Sequence, residues 1–198
     1  FSATDWKRYT SHMHKLLKIE PRDSIYEVGC GAGAFLYPLT VKGNAVSGID
    51  YSSELVTWGN KVLNNARLVV GDAVKMEADI KFDILVSHGV FHYFSSLEYA
   101  KNVIHLMISK SIKSANILDV NDFEKKDEYH EERIRIFCEK GGSREDYWTK
   151  YNGLDHLFYP KNFFREIAID FGISVEIQDQ TFSDYGNSPF RYNVMFKK

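Results

Sequence analysis

A chain of 198 residues is long enough to bury one substantial core and short for two. Its 44% hydrophobic and 26% charged residues describe an ordinary globular protein, and 25 basic against 27 acidic side chains leave a formal charge of -2, which excludes the basic surplus that a nucleic-acid backbone demands. No apolar stretch is long enough to cross a bilayer, the N-terminus lacks a long uncharged centre, and Cys30 and Cys138 stand far apart in unlike contexts, so the expectation is a cytoplasmic protein with reduced thiols, no membrane and no nucleic acid.

Trp6, Tyr9, Met13, Leu16 and Leu17 recur at spacings of three and four, which predicts an amphipathic helix that Pro21 stops. Residues 23–29 read as a short strand running into Gly29, Gly31 and Gly33. Phe35, Leu36 and Leu39 then give a helix face, and residues 44–50 form a second strand ending in Asp50. Ser52 or Ser53 is placed to cap the next helix. A third strand covers 66–73, and a fourth covers 82–90 with the unbroken hydrophobicity of a strand buried on both faces. The helix over 96–110 turns Leu97, Ala100, Val103, Ile104 and Met107 inward, and a fifth strand follows over 114–122. Strict strand and helix alternation predicts a parallel sheet covered on both sides.

The alternation breaks at 122–157. This stretch is highly charged yet carries Phe123, Tyr129, Ile134, Phe137, Tyr147, Trp148 and Tyr151, too many large apolar side chains for a solvated connector. It predicts a helical insertion or lid within a single domain spanning 1–198. A helix resumes over 160–172, with Pro160 in its first turn and Gly172 at its C-terminal cap. Two closing strands, 174–180 and 191–198, are joined by a link short enough for an antiparallel pair. The whole is an α/β, Rossmann-like doubly wound sheet of about seven strands, mostly parallel, with an antiparallel last strand.

Glycines at every second position between a strand and a helix let backbone N–H groups and a helix N-terminus approach a ligand with no Cβ in the way. Residues 29–34 also fit the dinucleotide fingerprint, with Ala34 in its last position. Glu27 separates the possibilities, because a carboxylate two residues before the first glycine repels a pyrophosphate and suits an ammonium. Here the sequence resembles the class I S-adenosylmethionine-dependent methyltransferases of small molecules, whose first motif reads E/D-x-G-x-G-x-G, as in Glu27-Val28-Gly29-Cys30-Gly31-Ala32-Gly33.

The resemblance implies that Gly29, Cys30, Gly31 and Gly33 lie along the methionine and ribose of S-adenosylmethionine, with Asp50 taking the ribose hydroxyls and Tyr51 packing on the adenine. Gly71-Asp72-Ala73 resembles the motif whose acid meets the adenine amino group. Residues 87–94 resemble the stretch after the fourth strand, so that Ser87 and His88 line the methionine end. His92 is expected to pack within the fold. The donor is already activated, so holding an acceptor in line with it supplies most of the rate, and S-adenosylhomocysteine is the product. Where a base is needed, His88, His156 and Tyr129 are the candidates, with His130 beside them.

Two motifs are rejected. Residues 187–190, NSPF, lack a proline at position 188 and the location after the fourth strand that an amine-modifying DNA methyltransferase signature has, and are expected to form a turn. Asp119 and Asp122 lack the third carboxylate that a magnesium site needs, so no metal is expected. The expected partner is a small-molecule substrate whose acceptor atom is oxygen, nitrogen or carbon. A non-catalytic methyltransferase-like scaffold is the alternative, and an NAD(P)-dependent oxidoreductase is disfavoured by Glu27.

Overall fold

The computed structural model describes residues 2–76, 81–154 and 156–198. Its centre is a seven-stranded sheet in the order β3-β2-β1-β4-β5-β7-β6, formed by β1 (Ser24–Val28), β2 (Ala45–Asp50), β3 (Ala66–Val70), β4 (Phe82–His88), β5 (Ser111–Asn121), β6 (Ser174–Asp179) and β7 (Arg191–Lys197). The first five strands pair in parallel, and β7 runs antiparallel to both β5 and β6. Alternation along the strands divides the core in two. Ile25, Ile84, Val86, Leu118 and Met195 face one layer, whereas Tyr26, Leu85, Ile117, Val194 and Phe196 face the other.

The first layer is closed by α1 (Ala3–Leu16), α2 (Tyr37–Val41) and α3 (Ser53–Val62), which contribute Tyr9, Met13, Leu39 and Val56. The second is closed by α4 (Leu97–Lys110) and α7 (Lys161–Phe171), which contribute Val103, Ile104, Met107, Phe164 and Ile167. Between β5 and α7 lie α5 (Lys126–Glu139) and α6 (Arg144–Lys150). Among the described residues no helix is long and apolar enough to cross a membrane.

Helix ends follow side-chain chemistry. Ser52 caps α3 by accepting the Leu55 N–H, Ser96 caps α4 through Tyr99, and Gly172 ends α7 in the left-handed region at φ 61°. One expectation needs correcting. No helix starts directly behind the glycines: α2 has only five residues and begins at Tyr37, after a run of turns, with Pro38 in its first turn. A helix that short and displaced contributes little dipole to the loop, so individual backbone N–H groups carry the polarity there.

Candidate active site

The C-terminal ends of β1, β2, β3 and β4 open into a cavity of about 590 Å³. Gly29, Gly31, Asp50, Tyr51, Asp72 and Ala73 line one part of it. His88, Gly89, Val90, Tyr93, Phe94 and Tyr99 line the rest. This is the edge at which open α/β sheets bind ligands, where the chain leaves the sheet on either side of β1.

The three glycines serve different ends. A Cβ on Gly29 would overlap the Val90 side chain, so a glycine there lets the loop after β4 close against the loop after β1. Gly31 lines the cavity and donates its N–H to Asp50 Oδ2 at 2.8 Å. Gly33 does not line the cavity; its missing side chain makes room for Leu63 at the end of α3.

Asp50 Oδ1 accepts the Ser52 N–H at 2.8 Å, so this buried carboxylate takes one backbone donor on each oxygen and retains lone pairs for a ligand. Glu27 is 3% exposed and its Oε2 has no hydrogen-bond partner. Burial, and then the nearby Asp50 charge, hold its carboxyl well above the usual range. Glu27 does not line the cavity itself; its unpartnered oxygen lies on β1 two residues before Gly29, and a ligand group that reached it would have to be cationic, as one end of S-adenosylmethionine is.

Tyr51 is 86% exposed on the cavity rim, a ring surface open to a base. Asp72 accepts the Tyr99 hydroxyl at 2.5 Å and the Val74 N–H at 3.0 Å, and these bonds, the hydroxyl foremost, lower its pKa. Tyr99 in turn is pushed up to about 12, by burial first and by Asp72 second. Sequence reasoning missed Tyr99, because its position on α4 says nothing of the loop it meets. Tyr93 and Phe94 were missed for a related reason: a single 3-10 turn over Phe91–Tyr93 turns them toward the cavity.

Four more of the expected residues stand elsewhere. Ser87 is fully buried and donates its hydroxyl to the Val28 carbonyl at 2.8 Å, because strand alternation points it to the sheet face opposite His88. Cys30 packs its thiol against Gly48, and burial raises its pKa. Tyr129 and His156 line a neighbouring cavity beneath α5 and α6. His156 touches the first cavity only through Tyr93, ring centroids 5.1 Å apart. His92 is buried, stacks edge-on against His156 at 4.9 Å, and is lowered to about 3 by burial.

His88 sits in an aromatic cage made by Trp6, Tyr9 and Phe35 at 5.4, 5.3 and 5.4 Å between centroids. Burial lowers its pKa, which leaves the ring neutral near pH 7.

Residues 26–108 match the family described as methyltransferase domain. Among curated proteins, an uncharacterised methyltransferase of Schizosaccharomyces pombe is 23% identical over 124 residues, covering 58% of this chain and 48% of the relative. The malonyl-acyl-carrier-protein O-methyltransferase of Priestia megaterium is 30% identical over 78 residues, 37% of this chain and 28% of the relative. The chain thus spans about half, or less, of the length of the curated relatives it matches. Among solved structures, magnesium protoporphyrin IX methyltransferase of Synechocystis with bound S-adenosylmethionine aligns over 98% of this chain and 80% of its own, at 14% identity and a TM-score of 0.67. DesVI of Streptomyces venezuelae aligns over 98% and 92%, at 14% identity and 0.70. The matched segment contains the glycine loop, Asp50, Asp72 and His88; residues 26–108 are similar to the methyltransferase domain family, and the chain as a whole shares the fold of these solved neighbours.

Proposed function

We propose that this chain transfers a methyl group from S-adenosylmethionine to an oxygen, nitrogen or carbon atom of a small molecule, in the cytoplasm. One observation carries the reading: Gly29, Gly31, Asp50 and Asp72 meet in the wall of the cavity that the strand ends create, with the buried Glu27, whose Oε2 has no hydrogen-bond partner, just behind that wall on β1. In this reading Glu27 takes the donor's ammonium, the loop N–H groups and Asp50 take the carboxylate and ribose, and Tyr51 and Asp72 take the adenine. S-adenosylmethionine supplies an already activated methyl group, so the chain's own work is binding, orientation and exclusion of water.

His88 walls the methyl end. Its Nε2 is engaged by the Tyr9 hydroxyl, which suits a ring that shapes the pocket better than one that takes a proton from the acceptor. Residues 122–157 act as a lid on the acceptor side, within one domain, and Tyr129 and His156 contact the acceptor from there. The two free thiols, Cys30 and Cys138, support the cytoplasmic setting. The balanced charge supports a small molecule over nucleic acid.

Calorimetric titration with S-adenosylhomocysteine tests the reading. Binding with one site per chain is expected, and Asp50→Ala is expected to weaken it by roughly tenfold or more, because charge-assisted bonds to both ribose hydroxyls vanish together. Unchanged affinity in that variant sinks the site, and tight binding without turnover of any acceptor favours the scaffold.

A further inference from the structure

The inserted helices enclose a second cavity, of about 660 Å³, that holding the methyl donor does not use. It abuts the first: Tyr93 belongs to one wall, His156 to the other, and their rings touch. Four of the exposed large apolar side chains, Leu97, Phe123, Trp148 and Leu154, gather around it. Exposed apolar surface concentrated at one hollow marks a place where a ligand or partner is received.

Inside lies Arg133, half-buried on α5. Its Nη1 donates to the Tyr129 hydroxyl at 3.2 Å, the Tyr147 hydroxyl accepts a further bond, and the guanidinium sits 5.5 and 5.7 Å from the ring centres of Tyr129 and Tyr151. Neighbouring acids are occupied elsewhere, Glu132 by Arg135 and Glu131 by Arg144. Among the described residues no carboxylate pairs with Arg133. Lys126 also lines the cavity, over the Phe158 ring at 5.6 Å, and Asp127 is the one carboxylate in the wall among the described residues. His130 and His156 complete the titratable lining.

A guanidinium held by two neutral phenols and two ring faces keeps donors free and keeps its full charge. Ring faces that would cradle a cationic ligand already hold Arg133 and Lys126, and a second cation would be repelled. A planar anion meets both demands, its ring among the tyrosines and its carboxylate in the fork of the guanidinium. We propose that this cavity binds an aromatic carboxylate, with Arg133 as its anchor, and that such a compound is the methyl acceptor. Only the word acceptor rests on the methyl-transfer reading; the anion site stands on Arg133 and its surroundings.

The test is calorimetric titration of the whole chain with 2-naphthoate, its neutral counterpart 2-naphthylmethanol and the cationic 2-naphthylmethylamine. The acid is expected to bind roughly tenfold tighter than the alcohol, and the amine weakest of the three. Arg133→Met is expected to erase the preference for the acid while leaving alcohol affinity and S-adenosylhomocysteine affinity unchanged. Should Arg133→Met fail to fold, Arg133→Lys keeps the charge and stem but not the fork, and is expected to lose roughly threefold of the preference. Equal binding of acid and alcohol, an unaltered preference in the folded variant, or no binding of the acid at millimolar concentration overturns the proposal. Failure of the unaltered protein to bind S-adenosylhomocysteine would instead remove the methyl-donor reading and leave the anion site in place.

Discussion

The Tyr9 hydroxyl lies 3.0 Å from Nε2 of His88, tying α1 to the end of β4. Gln180 bears on the same hydroxyl. Its Oε1 accepts the N–H groups of Thr181 and Phe182, so its amide nitrogen faces Tyr9 and donates to the hydroxyl at 3.2 Å. The Tyr9 proton remains available to Nε2, an arrangement that goes with the neutral His88 tautomer carrying its hydrogen on Nδ1. Tyr9→Phe removes a donor that favours the neutral ring, so the His88 pKa is expected to rise toward its ordinary value, read from the ring proton shifts of His88 against pH. The variant also strands the Gln180 amide, at a cost of about 1–3 kcal/mol in urea unfolding. A His88 titration unmoved by the change would reverse the tautomer.

Gly29 and Val90 make a second test. Alanine at 29 meets the Val90 methyls and must also adopt a φ of 75°, so Gly29→Ala is expected to lower stability by about 2 kcal/mol or more and to abolish S-adenosylhomocysteine binding. Adding Val90→Ala relieves the overlap but not the backbone strain. Thermal melts should therefore show the double variant recovering part of the loss, and full recovery would mean that φ carries no cost here.

Glu27 makes binding depend on pH. Its raised pKa favours the neutral acid in the free protein, whereas an ammonium ligand needs the carboxylate, so each binding event below that pKa releases a proton. Affinity is expected to fall as pH falls, and calorimetry in buffers of different ionisation enthalpy should register the proton. Glu27→Gln removes both effects and weakens binding. For stability the sign is opposite to that of a salt-bridged acid: a raised folded pKa gives a contribution complete below the unfolded pKa and lost as pH rises through the folded one. Ligand-free Glu27→Gln should then gain stability over the parent with rising pH, and parallel stability curves would contradict the assignment.

Tyr99 offers a gentler perturbation. Its hydroxyl is the leading cause of the lowered Asp72 pKa, so Tyr99→Phe should bring the Asp72 carboxyl back up toward its ordinary value, followed by carboxyl carbon shifts. Asp72 is solvated, and the effect on stability should be slight. The Val74 N–H bond remains, so the return should be incomplete.

Short apolar runs between turn and helix signals made the strands legible, and the acids at the ends of β1, β2 and β3 were legible because a parallel sheet gathers its strand ends at one edge. What lay beyond the edge was less so. Ser87 and His88 are adjacent in sequence, and only the strand's exact phase decides which one meets the cavity and which bonds to Val28. Tyr93 and Tyr99 depend on the path of a loop and a 3-10 turn, which carry no periodic signal. The aromatic residues of 122–157 announced buried rings but not that Tyr129, Tyr147 and Tyr151 would surround one arginine, since that follows from how α5 meets α6.

The placement of β7 between β5 and β6 has a consequence for biogenesis. On the ribosome β6 emerges before β7, yet it pairs with nothing else in the sheet, so both it and β5 wait with bare edges until residues 191–197 leave the exit tunnel. Nascent chains stalled short of that point should bind chaperones and succumb to protease, and protection should arrive abruptly once the closing strand is free to insert.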